Sequence, residues 1–485
     1  MKKSICFVLL AGIISVTSAQ TMLSLDSCRA LALQNNKELR IAKEKIKAAH
    51  YEKKAAFTNY LPNFSATGTY LRNQREVSLL SNEQKEGLSG MGSTLQPQLQ
   101  AAIHQIGSAN PDLGQLLAPL AALDLASPLN AVGTSLVNAL RTDTRNMFAG
   151  AITLTQPIYM GGKIRAYNKI TNYAEQLSKT QHETNVQEVI LSTDEAYWQV
   201  ISLVHKKKLA ESFLELVQRL DNDIEKMIRE GVATKADGLS VKVKVNEAEM
   251  TLTKVNDGLS LAKMVLCQLC GIDLTTPIQL EDEDLDNLPI LHTDVESHIE
   301  TAYENRPEIR SLELATDIYR QKVNVVRSEY LPSIALLGNY IMSNPSVLNG
   351  FEKKFKGMWN VGVMVSIPLF HWGEGSYKVK AAKANARAAQ LQLDEIKEKI
   401  ELQVNQSNFK VNEATKKLSM AEKNLDKANE NLRYANLGFR EGVIPTSNVL
   451  EAQTAWLSAQ SEKIDAQIDV KLTEVYLKKA LGVLR

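Results

Sequence analysis

The chain has 485 residues, 56 of them basic and 55 acidic, and aromatic residues make up only 6%. This balance of charge gives no indication of a nucleic acid or another polyanion as a partner. The length allows a large buried core, and the abundance of Ala, Leu, Lys and Glu favours long helices.

The N-terminus has the pattern of an export signal. Lys2 and Lys3 give a positive start, residues 5–16 form an apolar run, and residues 17–19 resemble a cleavage site. We therefore expect residues 1–19 to be a signal peptide. No later apolar stretch reaches about 18 residues, and this excludes transmembrane α-helices.

The chain is duplicated at fixed offsets. The matching segments are 35–70 with 305–340, and 157–271 with 368–482. The repeats predicted from them are 20–271 and 297–485, joined by a linker at 272–296. Each repeat begins with an amphipathic helix, which in the first repeat is expected from Leu25 to Asn59.

Two strands are predicted in each repeat, because apolar residues alternate with small or polar ones. Trp359, Val361 and Val363, for example, alternate with Asn360 and Gly362. The four predicted strands are about 61–73, 147–160, 331–343 and 358–370. One apolar face fits a transmembrane barrel strand and also a strand of a soluble sandwich.

A loop at 78–145 separates the strands of the first repeat. Pro111, Pro119 and Pro128 are expected to divide it into short helices, and we expect it to face the outside. In the linker, the acidic run 281–284 is expected to be a solvated loop.

Two runs without proline, 163–229 and 374–440, follow the second strand of each repeat. As helices they would extend about 100 Å. From Val404 to Phe439 apolar residues recur every 3.5 residues, the period of helices that supercoil around neighbours. A tube across a wide compartment needs such helices and a soluble sandwich does not, so the barrel is favoured.

Both long helical runs end in the same four residues. These are Arg229, Glu230, Gly231 and Val232 in the first repeat, and Arg440, Glu441, Gly442 and Val443 in the second. A glycine at a helix end permits a left-handed turn, so we expect hairpin tips at 229–235 and 440–446. The arginines are also explained by interaction with the last helical carbonyls.

No catalytic motif is present. The sequence contains no phosphate-binding loop, nucleophile elbow or metalloprotease helix, and its histidines are scattered. Cys267 and Cys270 have the spacing of a redox motif but lie in a helical run, where packing as small apolar residues is the simpler explanation. We therefore expect no enzymatic activity, cofactor or metal.

Together these features resemble the TolC family of outer-membrane efflux and secretion ducts. The motifs that carry the resemblance are Tyr60-Leu61-Pro62, Tyr330-Leu331-Pro332, Gln156-Pro157-Ile158-Tyr159, Ile367-Pro368-Leu369-Phe370 and the two tips, with Asn448-Val449-Leu450-Glu451 after the second. The resemblance implies a mixed α and β membrane protein. It would be a homotrimer with four strands per chain in a 12-stranded β-barrel, which continues as a long α-helical barrel. It would lie in outer-membrane lipid and extend into the periplasm.

The resemblance also implies where partners bind. A periplasmic adaptor, or membrane fusion protein, would dock at the two tips, and a periplasmic gate would involve Asp237, Asn448 and Glu451. The asparagine departs from the aspartate typical of the family. A structural explanation stays open, because Asn448 and Glu451 fit an N-cap pair and Asp237 lies in a first helical turn.

Three functions are consistent with the sequence. The first is a passive exit duct for small toxic compounds, served by an adaptor and an inner-membrane pump of the resistance-nodulation-division type. The second is a type I protein-secretion duct. The third, of another class, is a periplasmic coiled-coil scaffold without a pore.

Overall fold

The computed structural model describes residues 21–76, 80–141, 143–284, 299–346 and 352–485. These residues form two compact units. Of these residues, 21–54, 167–284, 299–323 and 379–485 form the helical unit, and 55–76, 80–141, 143–166, 324–346 and 352–378 form the strand unit. The predicted signal peptide and residues 285–296 of the predicted linker lie outside the described residues.

The elements follow one another in an order that repeats once. In chain order they are β1 (Thr21–Leu23), α1 (Leu25–Asn35), α2 (Lys37–Thr58), β2 (Asn63–Arg72), α3 (Asn82–Ser89), α4 (Met91–Ala109), α5 (Pro111–Ala121), α6 (Ala126–Ala139), β3 (Asn146–Met160), α7 (Lys163–Arg229), α8 (Lys235–Cys270), β4 (Ile278–Leu280), a short 3-10 helix (Glu281–Asp284), α9 (Ile299–Asn305), α10 (Pro307–Ser328), β5 (Ser333–Asn344), β6 (Lys356–Ser366), α11 (Glu374–Arg440) and α12 (Thr446–Ala480).

The two longest helices, α7 and α11, have the extents that the sequence predicts. Each begins directly after a glycine in the left-handed region, Gly162 at φ +85° and Gly373 at φ +81°, where a side chain would be strained. The predicted 3.5-residue pattern of α11 is also its buried face. Val404, Leu418 and Ala421 are buried on it, and the small alanines allow neighbouring helices to approach closely.

The single helix expected from Leu25 to Asn59 is wrong, since the structure has α1 and α2 with a break at Asn36. The Oδ1 atom of Asn36 accepts hydrogen bonds from the amides of Glu38 (2.8 Å) and Leu39 (3.3 Å). Its side chain thereby caps the first amides of α2, which have no helical carbonyl to bind.

The strand unit contains one antiparallel sheet of four strands in the order β2-β3-β5-β6. This agrees with the four strands predicted per chain. β3 pairs with both β2 and β5, so Ile152 lies between Ala66 and Tyr340. Regular pairing of β6 ends at Ser366, before the end of the strand predicted at 358–370.

The apolar face of this sheet is exposed in the single chain. Trp359, Val361, Val363 and Val365 of β6 are all exposed, and every residue of β2 is exposed. β2 and β6 are also the two edges of the sheet. Each of these edges leaves a row of backbone donors and acceptors unpaired within the sheet.

The insertion between β2 and β3 is helical, with α3 to α6 packed on one another. Pro111 begins α5 as predicted, whereas the helix break predicted at Pro119 is wrong because this residue lies inside α5. Among the described helices, none alone has the length and hydropathy to span a membrane. Only Pro111–Ala121 and Ala126–Ala139 together meet that test, with a bend of 50° between them.

The expectation of a solvated loop at 281–284 is wrong. These residues form the 3-10 helix after β4, which pairs in parallel with β1. The buried Tyr197 donates a hydrogen bond to Asp282 (2.7 Å), and the buried Glu283 accepts one from the amide of Leu280 (3.1 Å). Burial and this contact with Asp282 raise the pKa of Tyr197. Asp282 and Glu283 therefore form hydrogen bonds at the edge of the core. The charges of the run alone do not predict these contacts.

Candidate functional site at the paired hairpin tips

The first tip closes α7 with a left-handed glycine. Gly231 has φ +78°, and its amide donates to the carbonyl of Ile228 (3.1 Å). The amide of Val232 donates to the carbonyl of Met227 (2.9 Å). These two bonds define a Schellman motif, which satisfies carbonyls at the helix end and requires a residue that tolerates positive φ. The backbone of the turn is thus fixed by hydrogen bonds.

The second tip closes α11 in the same way. Gly442 has φ +70° and donates to the carbonyl of Phe439 (3.1 Å), while Val443 donates to that of Gly438 (2.8 Å). A Cβ atom placed on Gly231 or on Gly442 would meet no atom of the described chain within 4 Å. The glycines are therefore required by backbone conformation, and the space beside them is open.

A capping box starts the helix after the first tip. The amide of Asp237 donates to Oγ1 of Thr234 (3.2 Å), and the amide of Thr234 donates to Oδ2 of Asp237 (3.0 Å). The Thr234 hydroxyl also donates to that carboxylate at 2.6 Å. These hydrogen bonds lower the pKa of Asp237. The Thr-x-x-Asp spacing of residues 234–237 is a sequence signal for this cap.

No such box is present after the second tip. The N-cap of α12 is Pro445, whose carbonyl accepts from the amide of Asn448 (3.1 Å). The interpretation of Asn448 as an N-cap residue is therefore wrong, because it lies inside the first turn of α12. Its side chain and that of Glu451 are both exposed, whereas Asp237 is half-buried.

The two tip arginines are exposed. Nε of Arg229 donates to the carbonyl of Glu225 at 3.4 Å, the interaction with a late helical carbonyl that the sequence allowed. Glu230 and Glu441, the next residue at each tip, are exposed as well. Val232 and Val443 are 70% and 77% exposed, so each tip presents an apolar side chain to solvent.

A hydrophobic cluster joins the two tips within the helical unit. Its buried members come from both hairpins: Leu220, Ile224 and Val241 from the first and Val449 from the second. Phe439 and Leu450 of the second hairpin pack against them. The structure thus brings the duplicated tips side by side, although they are separated by about 200 residues of sequence.

Among the described residues, no group of three or more His, Cys, Asp or Glu side chains is arranged to hold a metal ion. The tips present two exposed valines and two exposed arginines, and Asp237 and Glu451 lie on the helices that follow them.

A sequence model of the outer membrane efflux protein family matches the chain twice, at residues 93–271 and 298–483. Among curated proteins, the alkaline protease secretion protein AprF of Pseudomonas aeruginosa is 24% identical over 316 residues. That alignment covers 62% of this chain and 63% of AprF. The outer membrane protein TolC of Escherichia coli is 20% identical over 352 residues, covering 70% of each chain.

Solved structures share the fold. The CmeC outer membrane channel of Campylobacter jejuni is 17% identical with a TM-score of 0.73, covering 95% of this chain and 85% of that one. CusC, whose structures concern transmembrane channel formation, is 14% identical with a TM-score of 0.72, covering 96% of this chain and 93% of its own. The predicted mixed α and β membrane fold with its duplication is therefore confirmed.

The two family matches cover most of both repeats, and the fold agrees over nearly the whole chain. The chain belongs to the outer membrane efflux protein family, whose TolC-like members are non-enzymatic transport proteins of the outer membrane with a periplasmic extension.

Proposed function

We propose that this outer-membrane channel protein is the exit duct of a tripartite efflux system. It conducts small toxic compounds passively to the outside, after a periplasmic adaptor and an inner-membrane pump of the resistance-nodulation-division type have delivered them. The observation that carries the proposal is the pair of tips, which have the same four residues, the same turn geometry and one shared cluster.

The sheet supports assembly as a homotrimer. The outer edges of β2 and β6 are unpaired within the sheet, its apolar face is exposed, and channels of the TolC family are trimeric. Three copies of a four-stranded sheet supply the twelve strands of one closed barrel, and closure satisfies the edges of every copy. The exposed apolar side chains of β6 then face lipid.

The tips are suited to docking an adaptor because they are rigid and accessible. Each Schellman turn fixes the backbone before binding, so little conformational freedom is lost when a partner docks. Val232 and Val443 offer apolar contacts, and Arg229 and Arg440 offer charged donors beside them. Three chains present six tips, and such repetition strengthens a weak single contact.

The gate is the second part of the proposal. Asp237, Asn448 and Glu451 follow the tips on α8 and α12, and in a trimer each would occur three times. Carboxylates repeated around a narrow throat attract cations and repel anions. The capping role of Asp237 does not prevent this, since its carboxylate stays ionised there.

A second candidate is a duct for protein secretion. AprF is named for the secretion of alkaline protease, and its identity to this chain, 24%, exceeds that of the Escherichia coli TolC. The substrate would then be a polypeptide, and the inner-membrane partner an exporter with its own adaptor.

Complementation in the native host separates these functions. A strain without the protein is expected to accumulate dyes and to become drug-sensitive, and the wild-type gene restores efflux. Normal susceptibility together with loss of a secreted polypeptide would favour secretion instead. If neither changes and the membrane fraction contains no heat-modifiable trimer, the duct proposal fails and a scaffold without a pore remains.

A further inference from the structure

Three thiols lie in one core cluster of the helical unit, and none of them has a role in the proposed channel. Cys28 is on α1, and Cys267 and Cys270 are on the last turn of α8. All three are free and fully buried, and they pack with Leu266, Tyr197 and neighbouring apolar residues. Packing alone would account for their burial, but it does not require that two of the three cysteines contact each other.

Cys28 and Cys270 are in direct contact. The Sγ of Cys270 lies 3.6 Å from the carbonyl oxygen of Cys28, to which its thiol donates a hydrogen bond. Cys267 is oriented differently, with its Sγ 4.0 Å from the carbonyl oxygen of Thr276. The pair in contact therefore joins two helices that are far apart in sequence, and it is not the Cys-x-x-Cys pair of the sequence motif.

Contacts of Asn35 with Cys270 and Gly271 fix α1 against the end of α8. Nδ2 of Asn35 donates to the carbonyl of Cys270 at 3.2 Å, which ties the end of α1 to the end of α8. Gly271, at φ +69°, lies so close that a Cβ on it would be 2.4 Å from Cβ of Asn35. β1 and β4 pair next to this point. The two cysteines thus meet at a fixed contact between α1 and the end of α8.

We propose that Cys28 and Cys270 are joined by a disulfide bond once the chain has been exported, while Cys267 remains a thiol. Each of the two thiols loses its proton, and the S–S bond forms as two electrons pass to the disulfide of a periplasmic thiol oxidant, which leaves as a dithiol. Such exchange proceeds through a mixed disulfide and requires an accessible thiolate. The bacterial periplasm maintains the oxidising conditions in which protein disulfides persist.

The order of events follows from burial. In the folded dithiol, both Cys28 and Cys270 are fully buried, so an oxidant cannot reach either thiol. The oxidant must therefore act before α1 has settled on α8. The bond then closes a loop across nearly the whole first repeat, and it restricts the unfolded chain and the release of α1.

The test counts thiols in the full-length protein taken from the outer membrane. The protein is quenched in acid, denatured and alkylated, with or without prior reduction, and the modified peptides are identified by mass spectrometry. Cys267 is expected to be alkylated in both samples, and Cys28 and Cys270 only after reduction. Mapping by peptide keeps Cys6 of the predicted signal peptide out of the count.

Two single variants make the assignment specific. Cys267→Ala should keep the linked Cys28–Cys270 peptide, and Cys28→Ala should release Cys270 for alkylation without reductant. Alkylation of all three cysteines in the unreduced wild-type protein would overturn the proposal in favour of packing alone. A linked Cys267–Cys270 peptide would overturn it in favour of the sequence motif. Both outcomes are read from the unfolded protein, so a variant that folds poorly still gives an answer.

Discussion

The two hairpin tips have the same four residues and the same hydrogen-bonded turn, but the helices after them begin differently. α8 starts with the reciprocal bonds of Thr234 and Asp237, and α12 starts after Pro445 with no side-chain cap. The turn is what the duplication has retained in both copies, whereas the cap is particular to the first. The backbone of both turns requires a glycine, whereas an acidic residue behind the turn caps the next helix only at the first tip.

The largest expected effect comes from Gly442→Asp. The chain leaves open space beside this glycine, so the substitution meets no neighbour within its own chain. It does place a charge at the proposed docking surface, and positive φ costs a residue with a side chain about 1–3 kcal/mol locally. We expect efflux to fall to the level of a strain without the protein while trimers still form, measured by dye accumulation and by gel migration.

Gly442→Asn is the matched control, since asparagine tolerates the left-handed region and is neutral. It should retain more efflux than Gly442→Asp. Gly231→Asp tests the comparison of the two tips, and the same loss is expected there if both dock the adaptor. Unchanged drug susceptibility in both aspartate variants, with normal protein levels, would exclude the tips as the docking surface.

The next effect concerns the cap of α8. Thr234→Ala removes an N-cap hydroxyl, and such a loss destabilises a helix start by about 1 kcal/mol. Hydrogen exchange should therefore be faster at the first amides of α8, including that of Asp237. Ser447→Ala at the second tip is the control, because this hydroxyl does not cap α12, and its exchange should be unchanged. Equal changes at both tips would contradict the capping assignment.

The stability that Asp237 contributes to the cap of α8 should depend on pH. Hydrogen bonds with Thr234 lower the pKa of Asp237 in the folded protein. The ionised carboxylate therefore stabilises the folded state at pH values above the pKa of an unfolded aspartate, about 3.9. That contribution is lost as the pH falls through the lower, folded value. The stability difference between wild type and Asp237→Ala should be constant from about pH 7 to pH 5 and should shrink below about pH 4. Thermal unfolding of detergent-solubilised trimers over this range measures it.

Much of this fold could be predicted because its signals are periodic and occur twice. The extents of α7 and α11, the four strands and the two tips follow from alternation, heptad spacing and a glycine at each end. The break at Asn36 does not follow from the sequence, because an asparagine inside a helical pattern is a weak local signal and only its Oδ1 contacts reveal the cap.

The contacts within the site could not be predicted in the same way. The first tip packs on the second through Val241 and Val449. This contact depends on tertiary packing between two segments, and no spacing in the sequence relates them. The burial of Glu283 beside β4 has the same origin. Nor does spacing reveal that Cys270 contacts Cys28 in preference to Cys267, three residues away.

The smallest expected effect, and the one that tests the gate, compares the carboxylates behind the two tips. Asp237 is half-buried and held by Thr234, whereas Glu451 is exposed on α12, so Glu451 is the more available to ions. In planar bilayers, Glu451→Gln should reduce the preference for cations over anions more than Asp237→Asn does, because the charge removed at Glu451 is the more exposed one. Ser447→Ala again serves as the control. If Asp237→Ala combined with Glu451→Ala leaves both single-channel current and ion preference unchanged, these residues do not form a gate, and Asp237 is a helix cap alone.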